Sequence, residues 1–162
     1  MDILEIPLHE HGSSEGCQPE NRLLKEGVWE KKGKVKLNEL LRYCEKDALI
    51  LHNDLDYVRA VCFRAIPTRV WKSLQLIHNK NVSFESDKHG KEKYRADFIT
   101  SRGKRMSLVV TDPVICEKLR KNEKVSNNCL LTVSLAPGWS PSRNVPKRCY
   151  KFIAGVIELG RQ

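Results

Sequence analysis

Residues 93–121 read KYRADFITSRGKRMSLVVTDPVICEKLRK, and this stretch decides the fold. It opens with two segments, Lys93–Ser101 and Lys104–Asp112, in which apolar and polar residues alternate with a period of two. A turn that contains Gly103 joins the segments, so we predict a hairpin. A helix should follow, because Asp112 is a good N-cap and the proline after it suits the first helical position, which needs no N–H. The stretch therefore predicts two antiparallel strands and then a short helix.

Three further apolar segments lie around this stretch, one before it and two after it. They are Leu74–Glu85, Cys129–Ala136 and Cys149–Leu159. The resulting order of strand, strand, strand, helix, strand, strand is that of the OB-fold, a small Greek-key barrel that often binds single-stranded nucleic acid or oligosaccharide. We predict a mainly β protein with short helices, built around a five-stranded OB-like Greek-key barrel with a helix between strands 3 and 4.

The barrel is predicted to occupy residues 73–162. Turn-forming residues 79–81 interrupt its first segment, so we expect the first strand to be bent or bulged. Gly155 marks an expected bend in the last strand. Residues 1–72 are predicted as an N-terminal α+β segment, which is either an incomplete first OB-like unit or a docking region.

The N-terminal segment carries its own patterns. Met1–Leu8 is typical of a strand. Because few chains begin inside a strand, we expect an upstream part or a partner chain that pairs with it. Lys36–Lys46 has leucines at helical spacing and predicts a short amphipathic helix. Trp29 is interpreted as a packing anchor and Trp71 as a core residue.

Composition limits the class of protein. A chain of 162 residues forms one moderate domain or one and a half small ones, and 40% hydrophobic residues are enough for a packed core. No apolar run reaches the length of a membrane span and the N-terminus has no signal pattern, so we expect a cytoplasmic protein with no membrane partner. The six cysteines form no CxxC pair. Buried reduced thiols are favoured over disulfides or a metal site.

The positive charge is concentrated in the predicted barrel. Residues 1–57 carry 8 basic and 12 acidic side chains, a net charge of −4. Residues 58–162 carry 21 basic and 8 acidic side chains, a net charge of +13. A basic field of this kind favours a polyanionic partner. The alternative is a soluble cationic surface with no ligand.

Several short sequences indicate a family. The chain resembles the prokaryotic dual OB-containing domain family, in a form that is shortened at the N-terminus. The resemblance rests on Asp2–Leu8 (DILEIPL), Glu20-Asn21, Val28–Lys31 (VWEK), Leu108–Pro113 (LVVTDP), Thr132–Leu135 (TVSL) and Cys149–Ala154 (CYKFIA). It implies two OB-like units and a nucleic-acid-binding role, often in gene contexts of defence or mobile elements. The resemblance does not identify any binding residue in this chain.

The candidate site follows from how OB-folds bind, which is through the exposed face of strands 2 and 3 and through the loops joining strands 1–2 and 4–5. These elements are rich in cations and contain one loop tryptophan. The candidate nucleic-acid-binding residues are Trp139, Arg143, Lys147, Arg148, Lys91, Lys93, Arg95, Arg102, Lys104 and Arg105. Trp139 can stack on a base, or it can plug one end of the barrel. Tyr94 and Phe98 are assigned to the core.

These features favour a non-catalytic module that binds single-stranded DNA or RNA. One alternative is a protein-interaction subunit that docks on a larger, defence-related complex. Another is a nuclease or other enzyme, but Asp112 is better explained as a helix cap than as half of a carboxylate pair with Asp97. We expect no catalytic residue, no metal and no cofactor. The sequence does not separate DNA from RNA.

Overall fold

A computed structural model describes residues 1–10, 17–18, 21–46, 49–62, 70–86, 93–140 and 142–160. Its strands are β1 Asp2–Glu5, β2 Glu30–Lys34, β3 Tyr57–Arg59, β4 Leu74–Asn79, β5 Ser83–Ser86, β6 Tyr94–Ile99, β7 Arg105–Val110, β8 Cys129–Leu135 and β9 Arg148–Glu158. Its helices are α1 Leu37–Leu40 and α2 Pro113–Arg120, with a 3-10 turn at Leu41–Tyr43. None of the helices in these ranges is long and apolar enough to cross a membrane.

The main sheet follows the order expected of an OB-like barrel. Its strands are paired in the order β4-β8-β9-β7-β6-β5, and β3 adds to one end of β9. The pairing of β7 with β9 is parallel, whereas the other pairings are antiparallel. The hydrogen-bonded sheet is open between β4 and β5. These two end strands are separated by only residues 80–82, so they form the two halves of one bent strand. The predicted mainly β, OB-like fold is confirmed.

The core lies inside this curved sheet. The hairpin of β6 and β7 turns Ala96, Phe98, Met106 and Leu108 inward, where they are almost fully buried. Tyr94 is half-buried and packs against the same cluster. A positive φ of 77° at Gly103 closes the hairpin turn, as the sequence predicted.

The N-terminal segment shares this core. Trp71 is buried as predicted, and its Nε1 donates a hydrogen bond to the carbonyl of Cys17 at 3.0 Å. Leu51 and Val58 lie in the same cluster. Of the six cysteine thiols, three are buried and three are half-buried. Core formation therefore needs residues from both sides of position 73.

Strands β1 and β2 form a separate two-stranded ribbon. Asp2 lies opposite Lys34 and Glu5 opposite Glu30, so the predicted N-terminal strand pairs within its own chain. All four residues of β1 are exposed. The prediction that Trp29 is a packing anchor is wrong, because its side chain is 54% exposed beside this ribbon.

The predicted helix over Lys36–Lys46 is much shorter in the structure. One α-turn, Leu37–Leu40, runs into a 3-10 turn that ends at Tyr43. Leu37 and Leu41 remain exposed and Leu40 is only half-buried, so the apolar face of this segment packs on little else. A short helix without such packing is not stable beyond a turn.

Asp112 connects three elements of the barrel. Its Oδ1 accepts hydrogen bonds from the backbone N–H groups of Val114 at 2.9 Å and Ile115 at 3.1 Å, which caps α2 as predicted. Its Oδ2 accepts from the N–H of Val156 in β9 at 2.8 Å. Near Val156 the register of β8 on β9 shifts, at the bend predicted from Gly155. One carboxylate therefore holds the helix start against the last strand.

Lys151 is a charged residue on the buried side of β9. Its side chain is 3% exposed, and its Nζ donates to the carbonyl oxygen of Asn53 at 2.7 Å and to its Oδ1 at 2.8 Å. Burial lowers the pKa of Lys151 from 10.5 to about 8, although the charges of Asp54 and Asp56 oppose this shift. Lys151 therefore ties the N-terminal segment to β9 and is poorly solvated while charged.

We expect Asp112→Ala to lower the free energy of unfolding by about 2 kcal/mol, because the helix loses its cap and three N–H groups lose their acceptor. Asp112→Asn keeps one acceptor oxygen and should lose less. Urea denaturation followed by circular dichroism measures both variants. An Asp112→Ala variant as stable as the unmodified protein would contradict the assignment.

We expect the stability contributed by Lys151 to depend on pH. Its folded-state pKa of about 8 lies below its ordinary 10.5, so between these values the unfolded chain binds more protons. The free energy of unfolding should therefore rise with pH across this window, relative to Lys151→Met, by at most about 1.4 kcal/mol per pH unit.

Urea denaturation of both proteins from pH 7 to about 10.5 gives this difference. Burial raises the pKa of the Cys129 and Cys149 thiols to about 12, which destabilises the fold as pH rises above 9.0. That effect is common to both proteins and cancels. If the difference in free energy of unfolding between the unmodified protein and Lys151→Met stayed constant with pH, Lys151 would be charged in the folded protein over the whole range.

Candidate nucleic-acid interface

A cleft of about 510 Å³ lies on the outer face of β7 and β9, beside the loop that leads into β9. The inward residues of β6 and β7 leave Arg95, Ser107 and Val109 on the outside. In β9, Cys149, Lys151 and Ile153 are buried and the residues between them face outward. The cleft is lined by Asp56, Arg95, Ser107, Leu108, Val109, Thr111, Ala136, Pro137, Tyr150, Lys151 and Phe152. Strand alternation thus builds its two walls.

Three aromatic rings meet at one end of this cleft. Tyr57 and Tyr150 are directly paired in β3 and β9, and their ring centroids are 5.9 Å apart. The ring of Trp139 lies 6.2 Å from that of Tyr150, tilted by 51°. We call Tyr57, Trp139 and Tyr150 the aromatic cluster. Tilted rings at these distances are favourably arranged and leave ring surface open to a ligand.

Trp139 is held by its backbone while its side chain stays in solvent. Its N–H donates to the carbonyl of Arg148 at 2.9 Å, and the N–H of Arg148 donates back at 2.8 Å. The Trp139 side chain is 57% exposed. Trp139 therefore does not plug the barrel end, which was one of the two predictions for it.

Arg148 adds a positive charge to the aromatic cluster. Its guanidinium lies 4.5 Å from the centroid of the Tyr57 ring, a cation–π geometry. A hydrogen bond with Tyr150 and the charge of Asp56 raise the pKa of Arg148, against the effect of burial. The charged guanidinium lies next to exposed rings, which suits a ligand with both phosphates and bases.

Arg95 supplies a second fixed cation on the opposite wall. Its Nε donates to Ser107 Oγ at 2.9 Å and its Nη2 donates to the carbonyl of Ser107 at 2.7 Å. Arg105 is paired with Ile99 at the far end of the same hairpin, on the same outer face as Arg95. Ser107 therefore orients the guanidinium of Arg95 at the cleft.

Among the described residues, the remaining predicted cations do not line the cleft. Lys93 and Lys104 are exposed at the ends of the β6–β7 hairpin, and Arg143 and Lys147 are exposed in the loop before β9. Arg102 forms an ion pair with Asp54 at 3.4 Å. Lys91, with Lys88 and His89 in the same connection, lies outside the described residues. The structure brings Trp139, Arg148, Arg95 and Arg105 to one surface.

Most of the residues in and beside the cleft were missed from the sequence, including Tyr150, Phe152, Asp56 and Tyr57. Tyr150 and Phe152 alternate with buried residues in β9. This alternation is visible in the sequence, but a lysine at position 151 suggests an exposed residue where the side chain in fact points inward. Asp56 and Tyr57 join the site only because β3 pairs with β9. No local pattern in the sequence reveals that long-range pairing.

A second depression, of about 830 Å³, lies near the end of β9. Its acidic wall is Glu158, whose pKa is lowered by hydrogen bonds from Lys118 and from the backbone of Ser126, against the effect of burial. This carboxylate is already paired, and no aromatic side chain is among the described residues that line the depression. Among the described residues, no three His, Cys, Asp or Glu side chains are placed to hold a metal ion.

Comparison with known proteins places the chain in a family. The family model for the dual OB-containing domain matches residues 1–156. A search of curated proteins and a search of solved structures found no match. The matched residues include the ribbon and nearly all of the barrel, and the mainly β, OB-like fold is consistent with the family's description. The chain therefore belongs to the dual OB-containing domain family.

Proposed function

We propose that this protein is a non-catalytic module that binds single-stranded DNA or RNA along the outer face of β6, β7 and β9. The observation that carries the proposal is the aromatic cluster with Arg148 at its edge, beside the cleft that Arg95 lines. Single-strand binding combines a cationic groove for phosphates with aromatic faces for bases, and both are present on one surface.

The distribution of charge supports the same proposal. Residues 58–162 carry a net charge of +13, and Lys93, Lys104, Arg143 and Lys147 are exposed at the ends of the β6–β7 hairpin and in the loop before β9. Such a field attracts a polyanion and raises its rate of association. The proposed binding residues remain Trp139, Arg143, Lys147, Arg148, Lys91, Lys93, Arg95, Arg102, Lys104 and Arg105. A location in the cytoplasm stays a prediction.

Salt dependence is the test of this function. Fluorescence anisotropy with labelled single strands of DNA and RNA gives the dissociation constant at several salt concentrations. Three or four phosphate contacts predict a slope of log association constant on log salt of about −2 to −3. Millimolar affinity at low salt for every strand would rule the proposal out.

In the same assay we expect Trp139→Ala to weaken binding by about 1–3 kcal/mol, the cost of losing one stacked base. Trp29→Ala is the matched control, because Trp29 is exposed to a similar degree but lies beside the ribbon. The control should bind as tightly as the unmodified protein. Equal affinities for both variants would remove Trp139 from the site.

A second candidate function, docking on a protein partner, is favoured by the ribbon. The exposed apolar side chains of the ribbon and of the stretch between its two strands include Ile3, Leu4, Leu8, Leu24, Val28 and Trp29. A two-stranded sheet is only marginally stable in water, and a large exposed apolar surface is typical of an interface. We propose residues 1–72 as the docking region for a larger complex, with the ribbon as its contact surface.

Co-expression with the products of neighbouring genes, followed by size-exclusion chromatography with light scattering, tests this docking. We expect one product to co-elute with the unmodified chain and to be lost from the double variant Val28→Ser, Trp29→Ser. Val114→Ser is the control, since Val114 is exposed on α2. Co-elution that survives the double variant, or a chain that stays monomeric with every product, would contradict docking through the ribbon.

A further inference from the structure

An acidic side chain lies in the wall of the basic cleft. Asp56 lines the cleft together with Arg95, Tyr150 and Phe152. Its backbone is fixed, because its carbonyl accepts a hydrogen bond from the N–H of Lys151 at 2.8 Å. Asp56 is exposed, and within the described ranges its carboxylate accepts no hydrogen bond and forms no close ion pair, although its charge acts on the nearby Arg148 and Lys151. A carboxylate repels phosphate, so this residue works against non-specific binding of a polyanion.

A carboxylate in such a place suits a base rather than a phosphate. An ionised carboxylate only accepts hydrogen bonds, and its two oxygens accept best from two neighbouring donors. Guanine offers that pair on one edge, its N1–H and its N2 amino group. We propose that the cleft binds a guanine base whose Watson–Crick edge is read by Asp56. This inference rests on the proposed single-strand binding and adds a base preference to it.

The other bases fit this carboxylate less well. Adenine and cytosine place an acceptor nitrogen next to their single amino donor, and thymine and uracil flank their N3–H with two carbonyl oxygens. Each would put an acceptor against the Asp56 carboxylate. A site that hydrogen-bonds one ligand discriminates against analogues that lack the matching groups, because its own polar groups are then left unpaired.

The rest of the cleft is suited to a base in size and chemistry. A volume of about 510 Å³ lies within the range of small-molecule sites. The Tyr150 and Phe152 side chains provide apolar surface for the faces of a base, and the hydroxyl groups of Ser107 and Thr111 provide polar contacts. Arg95 and Arg148 lie on opposite sides, where they can balance a phosphate attached to the base.

Fluorescence anisotropy with the full chain and thymine strands of about ten nucleotides tests the inference. Each strand carries one central base: guanine, adenine, cytosine, thymine or hypoxanthine, which lacks the N2 amino group. We expect the guanine strand to bind about tenfold more tightly than the other three natural strands, with hypoxanthine between. A single guanine avoids the four-stranded structures that guanine runs form.

Asp56→Asn should remove this preference, because the amide presents one acceptor and one donor to the base. The same variant removes a negative charge, so its affinity for the all-thymine strand should stay equal or rise. Asp97→Asn is the matched control. Asp97 lies on the outer face of β6 and does not line the cleft, so this variant has the same charge change and should keep the guanine preference.

Competition by free guanosine monophosphate distinguishes the source of the base. If guanosine monophosphate displaces the guanine strand, the cleft binds a free nucleotide. If it does not, and the guanine strand still binds more tightly than the others, the cleft binds guanine only within a strand. Either result supports guanine recognition. Equal affinity for the four natural strands, or a preference that survives Asp56→Asn, overturns it while leaving single-strand binding in place. Failure of every strand to bind at low salt overturns the proposed function as well.

Discussion

The parallel contact between β7 and β9 is the constraint on which the rest of the structure depends. It consists of two residue pairs, Val109 with Phe152 and Val110 with Ile153. Parallel neighbours cannot be joined by a tight turn, so the chain between them must cross over, and α2 and β8 lie in that crossover. Asp112 holds the junction, because it caps α2 and accepts from β9 with the same carboxylate. The contact also sets Arg95 and Ser107 on one side of the cleft and Tyr150 on the other.

Residues from both the N-terminal part and the barrel part of the chain form the cleft and the aromatic cluster beside it. Tyr57 and Asp56 come from the acidic N-terminal part, whereas the arginines and Trp139 come from the basic part. β3 brings them together by pairing with the first three residues of β9, and Lys151 reinforces that pairing through Asn53. The N-terminal part therefore supplies an aromatic ring and a carboxylate to a surface that its composition alone would not indicate.

What could be predicted from the sequence depended on the range of the interaction responsible. Period-two alternation, the turn at Gly103 and the Asp112 cap are local, and each identified its element correctly. Trp139 was identified because a tryptophan in a polar loop is hard to place in a core. Tyr57 was missed because its role depends on pairing with a strand some ninety positions away in the sequence. The helix after Lys36 was overestimated, since leucine spacing shows an apolar face but not whether anything packs on it.

The alternation in β9 determines how this surface can diverge among related chains. Cys149, Lys151 and Ile153 build the interior while Tyr150 and Phe152 build the cleft. Substitutions in the outward series can change the chemistry of the cleft without changing the interior. Inserting one residue just before Ile153 would shift the preceding part of β9 by one position. The rings of Tyr150 and Phe152 would then face the interior, and Cys149 and Lys151 would face outward. The register shift near Gly155 shows that the strand already absorbs one extra residue there. Changes of length are therefore expected in the loop before β9, and changes of chemistry in the outward series of the strand.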